Sequence, residues 1–485
     1  MNNLRLRLAL AAAAALTACA VGPDYHRPDT VAGAAIDAHF VNAGEAGLSE
    51  EPAAERFWTV FKDPLLSQLV ADALAANDDL KIAAANLRAS RALRRVTGFD
   101  QYPTITSGAG YTHSLQSQHQ LPGVDRSSRE ADTVDAGFDA LWELDLFGRV
   151  RRGVEAARAD EGASLATLQD VQVSVTAELT RDYCALRGLQ EQLGVARRNA
   201  DNQNRSLDIT LTRLKAGRGN ELDSSRADAQ LKTTMANIPS LEAAIAKAIY
   251  RISVLTGRPP DALRPQLAPP QAIPELPALN AIGTPETLLR RRPDIRVAER
   301  NLAAATARIG VAVGDLFPKV TFVGSIGLNA GSGSGLGDAG AETFAFGPSL
   351  SWAAFDLGRV RARIDASKAR TEAALANYEK VVLGALEETE GAVITYGRAQ
   401  ARRDTLAQAA AASAKAASLA RQRFEGGLTD FINVLDAERS TLESESLLAQ
   451  SRTDAATSLI AVYKALGGAW SIDGPVPPTA TGSAP

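Results

Sequence analysis

The sequence contains one structural unit twice, and this duplication constrains the fold more than any other feature. The segment Asp79-Leu80-Lys81-Ile82-Ala83 recurs as Asp294-Ile295-Arg296-Val297-Ala298, 215 positions later. Further along, Gly148-Arg149-Val150-Arg151 recurs as Gly358-Arg359-Val360-Arg361, at an offset of 210. The change of offset means that the first copy carries five extra residues between these points. A register kept over such a length indicates a tandem repeat, and the fold must accommodate two similar halves.

Each copy opens with a pattern that is typical of an amphipathic helix. Apolar side chains from Leu65 to Leu87 follow the three-and-four spacing of one helix face, which predicts a helix of about 30 residues. The pairs Tyr102-Pro103 and Phe317-Pro318 end these helices, because the residue before proline avoids the α region. Both copies therefore start with a helix that stops at an aromatic-proline pair.

The period then changes to two, which indicates β-strands. Even positions from Val134 to Leu146 are apolar and odd positions are polar or acidic, with Leu141 as the exception. Residues 320–329 and 344–352 alternate in the same way, and residues 104–112 do so more weakly. The pattern predicts two strands of about 10 to 14 residues in each copy. A soluble β-sandwich would show the same alternation.

Strand length and facial chemistry favour a membrane barrel over a sandwich. Tilted strands of about 9–11 residues cross a bilayer. An apolar, aromatic face opposite a polar or acidic face suits a water-filled barrel. Four strands cannot close such a barrel, because the smallest have eight. An open edge in lipid would leave amides unpaired at several kcal/mol each. The barrel must therefore be shared between chains.

Very long helices follow each pair of strands. No proline interrupts Gly148–Leu214 or Gly358–Phe424, and about 65 helical residues would reach roughly 100 Å. A second helix follows in each copy, near Asn220–Thr256 and near Asp430–Gly467. The breaks between the paired helices contain glycines that fit helix C-caps, namely Gly217, Gly219, Gly426 and Gly427. Such hairpins suit the wall of a hollow tube. A coiled-coil stalk of an adhesin or scaffold is the alternative, although a stalk has no use for two-faced strands.

The amino terminus has the layout of a secretory signal peptide. Arg5 and Arg7 precede an apolar run, Leu8–Leu16, that is too short to span a bilayer. The sequence Leu16-Thr17-Ala18-Cys19 resembles a bacterial lipobox, which implies cleavage before Cys19 and attachment of lipid to it. An ordinary signal peptide with an incidental cysteine is the alternative. Because Ala20 is not Asp, the usual inner-membrane retention signal, sorting to the outer membrane is expected.

Signals for enzymes, cofactors and nucleic acid are absent from the sequence. The net charge is −4, and no basic run is interleaved with aromatic residues. There is no Gly-Lys pair for a phosphate loop, and the four histidines lack metal-site spacing. Gly335-x-Gly337-x-x-Gly340 formally matches a dinucleotide loop, but it lies between two predicted strands and no predicted helix follows it. We therefore expect no catalytic residues, no metal and no cofactor.

In its order of motifs the chain resembles the TolC-like outer-membrane factor family, in the lipoprotein branch that serves resistance-nodulation-division efflux systems. The residues that carry the resemblance are the lipobox with Val21-Gly22-Pro23-Asp24-Tyr25 after Cys19, Phe57-Trp58, Asp63-Pro64-Leu65, Arg292-Pro293-Asp294-Ile295, Leu316-Phe317-Pro318, Asp356-Leu357-Gly358-Arg359 and Gly426-Gly427-Leu428-Thr429-Asp430. No single motif is diagnostic. Their order along two repeats is specific, and it covers essentially the whole mature chain.

The resemblance implies an α+β membrane channel. Three chains would form a 12-stranded β-barrel in the outer membrane and an α-helical barrel through the periplasm. A collar would come from residues 20–60, the connector and the carboxyl-terminal segment. The implied function is a lipid-anchored, passive exit duct of a tripartite efflux pump for drugs or other small molecules. The implied partners are a periplasmic adaptor, an inner-membrane pump of that class and outer-membrane lipid. Alternatives are the exit channel of a type I protein secretion system and a structural coiled-coil lipoprotein.

The resemblance also suggests gate residues at the hairpin tips. Asp436 matches one aspartate of the family's periplasmic gate. Asn433 stands where another channel branch has a second Asp, so an uncharged ring is expected there and Asp430 is the candidate instead. Asp223 holds the corresponding place in the first copy. The alternative is that each Asp simply begins a helix, where the helix dipole favours a carboxylate.

The repeats also define the expected domains. The divisions are a signal peptide at 1–18, a lipid-anchored collar segment at 19–60, the first repeat at 61–257, a proline-rich connector at 258–284, the second repeat at 285–468 and a tail at 469–485. Prolines exclude a helix interior or a central strand from the connector.

Overall fold

The computed structural model describes residues 20–28, 40, 41, 49, 51, 56–277, 279 and 282–468. The lipidation candidate Cys19, much of the expected collar segment and the tail lie outside the described residues. The chain forms two compact units. The first consists of Met1–Pro28, Asn86–Leu165 and Val297–Glu379, and the second of Asp29–Ala85, Ala166–Arg296 and Lys380–Pro485. Each unit takes segments from both sequence repeats.

Helices make up most of the described residues. In chain order they are α1 (Pro64–Ala76), α2 (Asp78–Phe99), α3 (Arg126–Arg129), α4 (Arg149–Lys215), α5 (Glu221–Leu255), α6 (Arg264–Leu267), α7 (Pro285–Arg291), α8 (Pro293–Gly314), α9 (Leu357–Glu425) and α10 (Phe431–Ala465). We call α4 with α5 the first hairpin and α9 with α10 the second hairpin. Helices α4 and α9 have 67 and 69 residues, and α5 and α10 have 35 each.

The prediction of one helix at the start of each copy is wrong, because the structure has two. In the first copy Asn77 divides α1 from α2. Its side-chain amide donates to the carbonyl of Leu255 at 3.0 Å, and its side-chain oxygen accepts from the Leu80 N–H at 3.2 Å. This cap starts a new helix at Asp78. In the second copy Arg292 precedes Pro293 and is extended, which ends α7.

Four strands occur in the described residues, and one antiparallel sheet within the first unit contains them. The strands are β1 (Thr104–Leu115), β2 (Glu130–Leu144), β3 (Lys319–Ala330) and β4 (Glu342–Ser351), and they pair in sequence order. Thus β2 of the first repeat pairs with β3 of the second. Phe138 lies opposite Ile326, which lies opposite Phe344, on the apolar face. The period of two is confirmed, and Phe344 and Phe346 keep 74% and 73% of their surface exposed.

A row of glycines crosses the opposite, polar face of the sheet. Gly108, Gly137 and Gly327 are in register on β1, β2 and β3. A Cβ atom on Gly137 would lie 2.7 Å from the carbonyl oxygen of Ile326, so the backbones of β2 and β3 approach too closely for a side chain here. At this level the polar face consists of bare backbone on three strands.

Two tryptophans at equivalent positions of the two repeats make the same hydrogen bond at the end of the sheet. The indole N–H of Trp142 donates to the carbonyl of Gln101 at 3.0 Å, and that of Trp352 donates to the carbonyl of Leu316 at 3.0 Å. Each acceptor directly precedes one of the two aromatic-proline pairs that were expected to stop a helix. The helices α2 and α8 do end before these pairs. Each tryptophan therefore fixes the same helix-to-strand junction in its own repeat.

Both hairpins turn at a glycine in the left-handed region. Gly217 has φ +67° and Gly427 has φ +75°, whereas Gly219 and Gly426 do not have positive φ. In the first hairpin the N–H of Arg218, the residue after Gly217, donates to the Arg213 carbonyl at 2.9 Å and closes the helix end. Leu428 repeats this bond to the Arg423 carbonyl at 2.8 Å. This is the Schellman arrangement, and one of the two predicted glycines in each turn provides it.

A buried arginine holds the proline-rich connector in the second unit. Arg187 on α4 is fully buried. One of its terminal nitrogens donates to the carbonyls of Leu267 and Pro269 at 3.4 and 3.2 Å. The side-chain amide of Gln190 donates to the Leu267 carbonyl at 2.8 Å. The connector contains the single helical turn α6, with Pro265 in its first turn. As expected, proline does not occupy a helix interior there.

Candidate functional site at the hairpin tips

The four candidate gate residues lie at the two hairpin tips in the second unit. Asp223 occupies the first turn of α5, where its N–H donates to the side chain of Asn220 at 2.9 Å. Asp430 is the N-cap residue of α10 but makes no side-chain cap bond. Asn433 follows in the first turn and donates to the Thr429 hydroxyl at 2.8 Å. Asp436 lies one turn further along and pairs with Arg439 at 3.0 Å.

These side chains face solvent within the single chain. Asp430, Asn433 and Asp436 are exposed, and Asp223 is partly exposed. Asp436 and Arg439 keep 71% and 68% of their side-chain surface accessible, so their ion pair stabilises this chain by at most about 1 kcal/mol. In the described part of the chain, no ion pair or hydrogen bond joins Asp223 to the other three. One chain therefore presents these groups outward and does not assemble them into a site by itself.

A contact between the two tips involves residues that sequence reasoning did not find. Arg213 on α4 donates to the carbonyl of Phe424 on α9 at 2.8 Å. Its guanidinium also lies 4.1 Å from the centre of the Phe424 ring, a cation–π distance. The rings of Phe424 and Phe431 are 5.4 Å apart. The apolar cluster around them is formed by Ala227, Phe424, Phe431 and Val434, with Leu207, Ile209, Ala420 and Leu435 packed against it.

A buried carboxylate forms a second link between the hairpins. Glu438 on α10 keeps 5% of its side-chain surface exposed. Its Oε1 atom accepts a hydrogen bond from the Ser206 hydroxyl of α4 at 2.6 Å and another from Arg421 of α9 at 2.6 Å. Burial of an unpaired carboxylate is expensive, and a charge-assisted bond to a guanidinium offsets that cost. Glu438 thus depends on both partners, and one of them belongs to the other hairpin.

A stripe of polar residues extends this link along α4. Asn199, Gln203, Ser206 and Thr210 are all buried, and their spacing of four, three and four places them on one helix face. The Asn199 amide donates to Glu445 of α10 at 2.8 Å. The Gln203 amide is 2% exposed, yet both of its polar atoms lack a partner. Separating an interface that contains polar groups costs less free energy than separating an apolar one, because water replaces the hydrogen bonds that are broken.

The link through Glu438 has no counterpart at the matching positions of the other repeat. At the offset of 210, Glu438 corresponds to Asp228, Arg421 to Leu211 and Ser206 to Ala416. Asp228 is exposed and lies 3.9 Å from Lys232 on its own helix. The spacing of the polar stripe is a signal that sequence reasoning could have used. Glu438 gave no such signal, because a glutamate on a helix rich in charges looks like a surface residue.

Three further observations concern other kinds of site. No helix in the described stretches is both long enough and apolar enough to cross a membrane. Among residues 56–277 and 282–468, together with the shorter described segments, no group of three His, Cys, Asp or Glu side chains is placed to hold a metal ion. The Gly335–Gly340 segment lies in the loop between β3 and β4, and a strand follows it.

Comparisons with known proteins identify the family. The family model described as outer membrane efflux protein matches residues 69–258 and 284–468. The solvent efflux pump outer membrane protein SrpC of Pseudomonas putida is 30% identical over 466 residues, covering 94% of this chain and 97% of SrpC. Nodulation protein T of Rhizobium leguminosarum bv. trifolii is 27% identical, covering 90% of this chain and 91% of its own.

Solved structures agree with the expected fold. The outer-membrane channel OprN is 44% identical, with a TM-score of 0.87 over 93% of this chain and 99% of OprN. The open state of the Neisseria gonorrhoeae MtrE outer membrane channel is 26% identical, with a TM-score of 0.80 over 93% of this chain and 98% of MtrE. The α+β channel fold is therefore confirmed, and the similarity places this protein in the outer membrane. The chain belongs to the outer membrane efflux protein family.

Proposed function

We propose that the protein is the passive exit duct of a tripartite efflux pump, which carries drugs or other small molecules across the periplasm and the outer membrane. The observation that carries the proposal is the two-faced sheet. Its apolar face exposes large aromatic side chains, and β1 and β4 each have only one strand partner in the described chain. Relatives named as solvent and toluene efflux pump proteins support small molecules as the cargo.

The two free strand edges support a homotrimer. In lipid each unpaired backbone group costs several kcal/mol, so β1 of one chain must pair with β4 of the next. Three chains of four strands would give the closed 12-stranded barrel that the family resemblance implies. The chain has no phosphate-binding motif to provide an energy source. An inner-membrane partner must therefore supply the energy, and a periplasmic adaptor must connect the two. The partner we propose is a proton-driven pump of the resistance-nodulation-division class.

The hairpin tips are the proposed periplasmic gate. In a trimer, Asp436 of each chain, together with Asp430, Asn433 and Asp223, would converge near the axis and narrow the entrance. Like charges that converge in this way repel each other and attract cations. The Glu438 and Arg213 contacts support this assignment, because each ties the second hairpin to the first within a chain. Loss of these ties would free the tip of the second hairpin from that of the first.

Single-channel recording in planar bilayers tests the duct and the gate separately. We expect the purified trimer to conduct weakly and Asp436→Ala to raise the closed-state current. Asp454→Ala is the matched control, because Asp454 lies on the same helix and pairs with Arg402 in an exposed position. A protein without any conductance would indicate a structural stalk. Unchanged closed-state current in the Asp436 variant would overturn the gate assignment alone.

A deletion strain tests the cargo. Loss of tolerance to antibiotics, solvents or metals is expected for an efflux duct. A strain that keeps normal tolerance but no longer releases a secreted protein would instead indicate type I secretion. Cys19 is the proposed lipid anchor, and we expect it to serve delivery and assembly more than conduction. A correctly assembled Cys19→Ser channel should therefore conduct like the unaltered protein.

A further inference from the structure

We propose that Arg152 is a positioning residue for the membrane anchor: it holds the segment that follows Cys19 in a seat built from both repeats. We call Ala20–Pro28 the anchor strap. This inference rests on the proposed lipid anchor at Cys19. It adds a binding site for the strap, which we call the seat. The seat is formed by Phe147, Gly148 and Arg152 of the first repeat and by Glu299 and Gly310 of the second. It fixes where the anchor leaves the folded protein. All residues of the strap and its seat belong to the first unit.

The strap begins at the junction between β2 and α4. The Val21 N–H donates to the carbonyl of Phe147 at 3.0 Å. Gly148 has φ +82°, and a Cβ atom there would lie 2.6 Å from the Cα atom of Ala20. No larger residue fits at Gly148 while the strap is in place. Cys19, the proposed lipid anchor, directly precedes Ala20 in the sequence, so this contact holds the chain immediately after the anchor.

Arg152 donates hydrogen bonds to three acceptors on the strap. Only 5% of its side-chain surface is exposed. Its Nε donates to the Val21 carbonyl at 3.2 Å, and one terminal nitrogen donates to the Gly22 carbonyl at 3.3 Å and to the Asp24 carboxylate at 2.6 Å. The other terminal nitrogen pairs with Glu155 at 2.8 Å. Only arginine presents enough donors in one rigid plane for this set of acceptors.

The second repeat completes the seat. Gly22 has φ +92°, and a Cβ atom there would lie 2.5 Å from the Cα atom of Gly310 on α8. A Cβ atom on Gly310 would in turn lie 2.9 Å from the Val21 carbonyl oxygen. The Tyr25 hydroxyl donates to Glu299 at 3.2 Å. The guanidinium of Arg300 lies 5.8 Å from the centre of the Tyr25 ring.

The divided seat has a consequence for assembly. Phe147, Gly148 and Arg152 belong to the first repeat, whereas Glu299 and Gly310 come from the second. The seat forms only when both repeats have packed within the first unit. Lipid on an unseated amino terminus would move on a flexible tether, which lowers its effective concentration at the correct membrane depth. A strap that is bound in the seat brings the lipid and the ends of the strands to the membrane together.

The test separates positioning of the anchor from ordinary stabilisation. Arg152→Gln would be compared with Arg158→Gln, an exposed arginine on the same helix, in both the Cys19 and the Cys19→Ser background. Labelling with palmitate establishes whether Cys19 carries lipid. The measured quantity is the fraction of chains that become SDS-resistant trimers in the outer membrane. Thermal melting of the purified trimers shows whether each variant is folded.

We expect Arg152→Gln to lower the trimer fraction at least about threefold in the lipidated protein, and to lower it little further once Cys19 is replaced. Asp24→Ala, which removes one acceptor of Arg152 from the exposed side of the strap, should show the same dependence on Cys19 more weakly. Equal losses in both backgrounds, or no loss in either, would overturn the inference. Absence of palmitate label would overturn it together with the anchor, whereas conductance tests the duct independently.

Discussion

The Ser206 hydroxyl lies 2.6 Å from Glu438 Oε1 and donates a hydrogen bond to it, which joins the first hairpin to the second inside one chain. The same oxygen accepts from Arg421 of the second hairpin. A single buried atom therefore connects α4, α9 and α10. Because the other repeat has no equivalent of this arrangement, the two hairpins of a chain are not interchangeable at their tips.

Glu438→Gln should weaken the tie between the hairpins without changing the shape of the side chain. The amide removes the negative charge, so the Ser206 bond between the hairpins and the Arg421 bond within the second hairpin both lose their charge assistance. A bond to a charged group contributes about 1.5–3 kcal/mol, more than a bond between neutral groups. We expect a several-fold higher closed-state current in planar bilayers. Glu443→Gln, an exposed glutamate on the same helix, is the control and should leave the current unchanged. Equal currents from both variants would contradict a role for Glu438 in closing the duct.

Arg187→Met should release the connector from the second unit. The substitution leaves the carbonyls of Leu267 and Pro269 without this donor, and a buried acceptor that loses its hydrogen-bond partner costs about 1–3 kcal/mol. We expect a lower melting temperature and faster cleavage by chymotrypsin after Leu263 and Leu267, which are both fully buried. Arg181→Met changes an exposed arginine on the same helix and should have neither effect. Unchanged cleavage of the Arg187 variant would rule out this role.

Gly188→Ala should force α4 and α10 apart. A Cβ atom on Gly188 would lie 1.9 Å from the Thr453 hydroxyl oxygen, so the helices must move. Overpacking of this kind costs about 1–3 kcal/mol. Thr453→Ala in the same chain should restore part of the stability, although the Thr453 Cβ atom remains 2.9 Å away. Gly194→Ala is the control, since its Cβ atom would lie 3.4 Å from a flexible Arg198 nitrogen. The melting temperature should be lowest for Gly188→Ala, intermediate for the double variant and highest for Gly194→Ala.

Asp170 should make stability depend on pH. Burial raises the pKa of Asp170, and the negative charge of Asp294 raises it further, against Arg292 and Lys464. The unfolded chain therefore releases this proton at lower pH than the folded chain, and the contribution of Asp170 to stability is lost as pH rises through the folded pKa. Asp170→Asn should melt at a higher temperature than the unaltered protein at neutral pH. The difference should vanish below about pH 3.9, the ordinary value for Asp, and a larger difference in acid would refute the assignment.

The thiol of Cys184 is a poor target for reagents that need a thiolate. It is fully buried, and burial raises its pKa to about 12. We expect iodoacetamide at pH 8 to leave Cys184 unmodified in the folded protein and to modify it in denaturant. Mass spectrometry of the two samples would show the difference. Modification of the native trimer at the denatured rate would mean that this part of α4 opens readily.

Local patterns in the sequence predict local structure well here. The alternation from Val134 to Leu146 indicates β2, which runs from Glu130 to Leu144. The long stretches without proline match α4 and α9 within two residues at each end. The division of the first helix at Asn77 was missed, because it depends on Leu255, a partner 178 positions away. The prediction was limited more by the sequence distance between contacting residues than by weakness of the local sequence patterns.

The candidate site illustrates the same limit. The resemblance led to Asp436 and its neighbours on one segment, whose roles remain predictions. Glu438 and Ser206 are 232 positions apart, and neither has a spacing or composition that points to the other. Arg213 and Phe424 come from different repeats and meet only when the hairpins pack. Contacts of this kind require the folded chain to be seen.

The glycine row across β1, β2 and β3 bears on how strongly the sheet can bend. Side chains on the concave side of a curved sheet crowd each other, and glycines relieve that crowding. At Gly108, Gly137 and Gly327 the polar face has no side chains to collide. The sheet can therefore curl most tightly along this row with its polar face inward. The row is a crease that favours closure of strands from several chains around a common axis.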